Sequence, residues 1–163
     1  MADLLLNAPM QSELLRQNRF LLTFPDSLGI ASWYVTTAKR PSINISKVAL
    51  PFLNTEFYVT GRYTWQPLAI TFRDPIGPSA SQALMEWVRL HAESLTGRMG
   101  YFAGYARDIE LAMLDPTGVT VSKWILKNCM LCDNVDFGNL NYATDALAEI
   151  TINIQPQYCI LAY

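Results

Sequence analysis

One histidine, three cysteines and a few spaced acids are the residues of this 163-residue chain whose chemistry could go beyond packing. His91, the only histidine, would have to serve any Ser-His-Asp or Cys-His relay. Such a relay needs a nucleophile within hydrogen-bond reach, and no nucleophile motif accompanies it. The imidazole shares an apolar helical face with Leu84, Trp87, Val88 and Leu95, which favours a partly buried structural role. Cys129-Met130-Leu131-Cys132 spells a CxxC. A closed zinc site takes four ligands, so distant Cys159 and His91 would have to converge on the pair. On a strand, positions i and i+3 point to opposite faces. A redox CxxC opens a helix within a βαβ unit, a setting this sequence lacks. Structural thiols are the first reading of the three cysteines, with intersubunit disulfides and metal or redox chemistry behind it. Asp133 and Asp136 could form a carboxylate pair, but nothing places them in a cleft, and exposed turn residues are the default. Gly97-Arg98-Met99-Gly100 has no strand-to-helix setting for cradling phosphate. Trp33, Tyr34, Tyr58, Tyr63, Trp65, Tyr101, Phe102 and Tyr105 would stack on bases only if cations were interleaved among them, and those are sparse. No catalytic residue, cofactor or metal is therefore assigned, and the chain is read as a non-enzyme.

The elements around these residues are mainly β. Residues 1–18 form an N-terminal arm or short helix, and residues 19–163 a single domain. Phe20 to Phe24 and Trp33 to Thr37 read as strands split by the turn signals Pro25-Asp26-Ser27 and Gly29. Residues 43–50 and 56–60 form a second pair. Leu68, Ile70 and Phe72 alternate with smaller or polar residues, as a half-buried strand does. The period then changes to that of a helix, which starts at Pro78-Ser79-Ala80-Ser81 with Ser79 or Ser81 as N-cap and stops at Gly97. Strands resume at Ile109, Leu111 and Met113. Asp115-Pro116-Thr117-Gly118 is a turn sequence, so the strand from Val119 to Leu131 closes a hairpin. Ile150, Ile152 and Ile154 give the cleanest alternation, and Pro156 after them predicts an edge or bulge. The fold class is antiparallel β-sandwich or barrel with one packed helix.

Composition narrows the function. Hydrophobic residues make up 51% of the chain and charged residues 16%, against about 25% charged in an ordinary soluble domain. No run approaches the ~20 apolar residues that span a bilayer, so protein neighbours are expected to cover the surplus apolar surface. The Leu4-Leu5-Leu6 run is too short for a signal-peptide core and follows Asp3 rather than a basic cluster. A net charge of −2 argues against a general nucleic-acid binder. Residues 101–163 hold seven acids against Arg107, Lys123 and Lys127, and after Lys127 there are four acids and no base.

Residues 38–74 carry a family resemblance. They read Ala38-Lys39-Arg40-Pro41, then Val48-Ala49-Leu50-Pro51-Phe52-Leu53-Asn54, then Val59-Thr60-Gly61-Arg62-Tyr63-Thr64-Trp65, and close with Ile70-Thr71-Phe72-Arg73-Asp74. This layout resembles the tail tube proteins of contractile-tailed bacteriophages. In that family a proline ends an early strand, a Pro-Phe-x-Asn segment follows, and a Gly-x-x-Thr-Trp-like element leads into a strand ending in Asp. A tryptophan-bearing helix comes next, here with Trp87. Pyocin tubes, type VI secretion tubes and baseplate tube initiators share the architecture.

The resemblance implies hexameric rings stacked into a hollow tube inside a contractile sheath. Its partners would be further copies of itself and the tail sheath, baseplate and tail terminator proteins. DNA would pass through without specific binding, and the protein would reside in the virion tail after assembly in the host cytoplasm. Leu50, Pro51, Phe52, Asn54, Phe57 and Tyr58 are the expected intersubunit contacts, on a projecting hairpin. Asp133, Asp136, Asp145 and Glu149 are the expected lumen-facing acids, placed to repel phosphate. The alternatives are a baseplate tube initiator or a secretion-system or pyocin tube and, of another class, a small ligand-binding β-barrel.

Overall fold

The computed structural model describes residues 13–163. In chain order the elements are β1 (Phe20–Thr23), β2 (Val35–Ala38), β3 (Ile43–Phe52), β4 (Thr55–Trp65), β5 (Leu68–Arg73), α1 (Ala80–His91), α2 (Phe102–Tyr105), β6 (Arg107–Leu114), β7 (Thr120–Asp136), β8 (Glu149–Gln155) and β9 (Tyr158–Leu161). The arm expected over residues 1–18 lies mostly outside the described residues; residues 13–18 carry no helix.

Alternation dictates the centre of the fold. β5 and β8 pair antiparallel with Leu68 opposite Ile154, Ile70 opposite Ile152 and Phe72 opposite Ile150. All six side chains are buried. Directly opposite residues share a face, so one register places all six in the core, and a one-residue slip would expose them. Each contributes about 1.5–3 kcal/mol by leaving water. β6 does the same for the second layer, with Ile109, Leu111 and Met113 buried.

β7 ties the layers together. Its first part pairs with β6 on one side and β9 on the other, and Met130 to Asp136 pair with β8. One sheet therefore runs β1-β6-β7-β9 and the other β7-β8-β5-β2. The handover occurs at a bulge in which Lys127 and Asn128 together oppose Asp108. Asn128 takes φ 51° there. The Asp108 carboxylate holds the bulge, accepting from the Asn128 amide at 2.9 Å and from Lys127 Nζ at 2.7 Å. β1 and β2 each have one strand partner, so the sheets stay open. Of the two architectures expected, the sandwich is present and no barrel closes.

The helix also departs from expectation. α1 ends at His91 rather than near Gly97, because Ala92 turns to extended backbone and bridges Met99. Leu95, expected on its apolar face, is exposed beyond its end. Its start is as read: Ser79 Oγ accepts the Gln82 amide at 3.4 Å. Asp74 adds a second cap, accepting the Ala80 and Ser81 amides at 3.1 and 3.3 Å. The aspartate closing β5's motif thus anchors the helix to the sheet. Trp33 and Tyr34, expected to start a strand, lie in a 3-10 turn before β2.

Candidate functional site

The residues with reactive chemistry are absorbed into the scaffold. His91 Nδ1 bonds the Trp87 carbonyl at 2.9 Å, and Nε2 receives the Leu131 amide at 3.2 Å. These partners require a neutral ring protonated on Nδ1. The imidazole stacks on Tyr105 at 4.1 Å and ties α1 to β7. Cys129 points into the core and Cys132 toward the outer face, on opposite sides of β7. Burial is the main force raising all three thiols, Cys129 to about 12 and Cys132 and Cys159 to about 11. Few thiolates exist at neutral pH under those conditions, which suits inert structural cysteines. Among the described residues no three His, Cys, Asp or Glu side chains group as metal ligands.

What stands out instead is apolar surface. β3 and β4 form a two-stranded ribbon that pairs with no other strand. Of its residues, none is buried. Isolated two-stranded ribbons are at best marginally stable in water, yet this one exposes Leu50 at 48% and Phe57 at 58%. At its tip Leu53 is 90% exposed and holds φ 53°, a conformation that a branched side chain disfavours.

The ribbon is divided by a bulge. Ile45 pairs with Tyr63 and Lys47 with Thr60, so Gly61 and Arg62 together oppose Ser46. Ser46 Oγ donates to the Arg62 carbonyl at 2.8 Å. A Cβ on Gly61 would stand 2.5 Å from that hydroxyl oxygen and 3.1 Å from the Ser46 carbonyl oxygen, so glycine is what fits. Past the bulge, Val48 lies opposite Val59, Leu50 opposite Phe57 and Phe52 opposite Thr55. That face is apolar, with the Phe52 and Phe57 rings 6.5 Å apart. The reverse face of the same half is mixed, with Ala49 opposite Tyr58 and Pro51 opposite Glu56; there Lys47 Nζ sits 4.5 Å over the Tyr58 ring, and Tyr58 donates to Glu56 at 3.0 Å.

Of the expected contact residues, Leu50, Phe52 and Phe57 share the apolar face. Pro51 and Tyr58 lie on the reverse one, and Asn54 is in the turn. The sequence reading did not single out Val48, Val59 or Leu53, nor a second exposed apolar set. That set comprises Leu140, Tyr142 and Leu147 in the β7–β8 loop, with Tyr158, Ile160 and Leu161 on β9. The legible signal was Gly61 inside a strand pattern, which marks a bulge.

The four expected lumen acids are all exposed. Asp136 faces Thr151 across β7 and β8, one step diagonal from Glu149 on the outer face of that sheet. Arg73 stands directly opposite Glu149, so the tertiary fold brings a base to a stretch that lacks one in sequence. Asp133 sits in a second bulge of β7 at φ 53°, and Asp145 in the loop. Between them the outer face is neutral and polar, carrying Thr71, Thr151, Asn153 and Gln155, with the two threonine hydroxyls 3.2 Å apart.

The backbone as a whole superposes on solved assemblies. The sheath/tube terminator of an extracellular contractile injection system (PVC, extended state) matches at TM-score 0.73 and 11% identity, covering 93% of this chain and 99% of that one. The tube-terminating cap of the anti-feeding prophage matches at TM-score 0.71 and 14% identity, over 94% and 97% of the two chains. A PVC sheath–tube complex component in the extended state gives TM-score 0.70 at 12% identity, over 99% and 96%. The chain has the tube fold of contractile injection systems. No family model and no curated protein matches the sequence. The tube fold agrees with the expectation drawn from residues 38–74, and these structures are of tube, terminator and cap components.

Proposed function

We propose that this protein is a structural tube subunit that closes into hexameric rings and stacks them into a tube within a contractile sheath. The carrying observation is the apolar β3–β4 ribbon, none of whose residues is buried, projecting from a tube fold. Apolar surface of this extent on a charge-poor chain is covered by neighbours in obligate assemblies. Leu50, Phe52 and Phe57 are the anchors of that contact, with Pro51, Asn54 and Tyr58 at its margin. The partners are further copies, the sheath, the baseplate and a tail terminator.

The finer assignment is a phage tail tube: a component of the virion tail, assembled in the host cytoplasm and conducting DNA. An outer sheet face with Thr71, Thr151, Asn153 and Gln155 at its centre and Asp136 and Glu149 at its rim would let a duplex slide without adhesion. Asp133 and Asp145 extend the same acidic rim. A tube reconstruction placing all four acids on the sheath-facing surface sinks the lumen assignment.

Negative-stain imaging of the purified chain tests the main reading. Rings or tubes are expected, and a monodisperse monomer at high concentration overturns it. A second reading, a terminator or cap, is supported by the likeness to such components. It predicts single rings that do not stack.

A further inference from the structure

The free ends of the two sheets leave a cleft. β1 and β2 are the terminal strands, and a cavity of about 540 Å³ opens between them. Its floor is apolar, made of Phe20 from β1 and Leu111 and Met113 from β6. Its rim is cationic, with Arg16 before β1 and Lys39 and Arg40 after β2. Four ion pairs form among the described residues, and none uses these three cations. An apolar floor under unpaired positive charge fits an apolar segment that bears a carboxylate.

The chain contains such a segment. Residues 137–148 join β7 to β8 with no strand or helix of their own. Loops of about 12 residues without secondary structure are uncommon in compact domains and are usually functional. Every residue from 136 to 149 is exposed, Leu140 at 91% and Tyr142 at 112%. The loop is nonetheless shaped. Gly138 holds φ 80°, and a Cβ there would stand 2.4 Å from the Glu149 carbonyl oxygen, so the stem closes on glycine. Asn141 Oδ1 accepts the Ala143 amide at 2.9 Å, and the Asn141 carbonyl accepts the Thr144 amide at 3.4 Å. That turn is flanked by Leu140 and Tyr142. Asp145 follows, and the loop contains no base.

We infer that the β7–β8 loop of one copy seats in the β1–β2 cleft of the next, with Leu140 and Tyr142 on the apolar floor and Asp145 against Lys39 and Arg40. This deepens the tube reading and rests on it. Charge selects a second copy as the occupant: three unpaired cations meet the one stretch of the chain that is acidic and base-free. The loop does not fill the cleft of its own chain, since none of its residues is covered. Its stem is tied to the Asp74 end of β5, where the Ala148 carbonyl accepts the Asp74 amide at 3.0 Å. Lys39 lies toward the other end of β5, its amide donating to the Ala69 carbonyl at 3.0 Å. Loop and cleft are different surfaces, so the contact is heterologous and can repeat around a ring. Asp145 then closes the acidic rim at the seam between two copies.

The test is a charge swap between copies. Lys39→Glu with Arg40→Glu turns the rim acidic, and Asp145→Lys makes the loop basic, so each variant alone sets like charges against each other. Ring yield by sedimentation and negative-stain imaging is expected to fall about tenfold or more in each, with the urea midpoint unchanged. An equimolar mixture of the two is expected to restore rings, because with alternating copies every loop meets a cleft of opposite charge. Leu140→Ser with Tyr142→Ser is expected to lower ring yield as far, without rescue by the cleft variant. Should the cleft variant fail to fold, the two loop variants, which touch no core residue, decide alone. Wild-type rings with both loop variants assembling at wild-type yield overturn the inference and leave the tube reading standing. So does a mixture that stays as low as its components. Loss of rings from Leu4→Ser with Leu5→Ser and Leu6→Ser, without loss from the loop variants, gives the cleft to the chain's own N-terminal segment and overturns the inference as well. A wild-type chain that stays monomeric overturns the tube reading and this inference with it.

Discussion

The β5–β8 pair and the β3–β4 ribbon are built from the same material and end in opposite environments. Both are antiparallel pairs with apolar residues set directly across from one another. In β5–β8 the apolar face of six residues is wholly removed from water by the opposite sheet and by α1. In the ribbon the corresponding side chains remain about half exposed. Alternation fixes which side chains share a face; it does not supply the surface that covers them. For β5–β8 that surface is in the same chain. For the ribbon the tube reading supplies it from other chains.

The contrast predicts that damage to the body and damage to the ribbon separate cleanly. The largest effect on folding should come from Trp87→Ala. Trp87 is fully buried and its Nε1 donates to the Tyr105 carbonyl at 2.7 Å. Truncation leaves a cavity and an unpaired carbonyl, costing about 3–5 kcal/mol, which is comparable to the whole stability of a marginal domain. Urea titration should show the transition shifted far toward water, or no folded protein.

A smaller loss, about 1 kcal/mol, is expected from Asp74→Ala, because the caps on α1 are divided between Asp74 and Ser79. Asp74→Asn should restore part of it, since the amide oxygen still accepts the helix amides. A denaturation series of the two variants reads this directly; equal loss in both would show that charge at the helix start, not hydrogen bonding, is the operative effect.

The Asp108 clamp on the β7 bulge gives the body a pH signature. Lys127, followed by the Asn128 amide, holds the Asp108 carboxyl below its ordinary value. A carboxyl depressed in the folded state adds stability above its unfolded-state pKa and loses it as pH falls through the folded-state pKa. The pair is largely solvent-exposed, so screening keeps the contribution small. Asp108→Asn should therefore lower the urea midpoint slightly near neutral pH, and the difference should vanish in acid below the depressed pKa. A gap that persists there would mean that the bulge geometry, not the ionised clamp, was lost.

Much of the body was legible because its signals are local. The alternations at Leu68, Ile70 and Phe72 and at Ile150, Ile152 and Ile154, the Asp115–Gly118 turn and the Ser79 cap each lie within a few residues. The missed features are relations between distant segments. Nothing local says that Ala92 will bridge Met99 and cut the helix short, or that Arg73 will face Glu149. At the ribbon, Leu50, Phe52 and Phe57 were readable as candidate contact residues, and all three are exposed. The register shift at Gly61 and Arg62 was not, because it emerges only when β3 is paired with β4.

The smallest effect on folding is expected where the effect on assembly is expected to be complete. Leu50→Ala with Phe57→Ala removes two large side chains from the ribbon, yet neither touches the core. Surface truncations of this kind change monomer stability by within about 0.5 kcal/mol. In a core strand the same pair of changes would cost several kcal/mol. The double variant should unfold at the wild-type urea midpoint while its tubes are lost to sedimentation. A midpoint that falls as far as for a core truncation would mean that the ribbon packs on its own body in solution. The comparison between covered and uncovered strands would then reduce to a difference in degree.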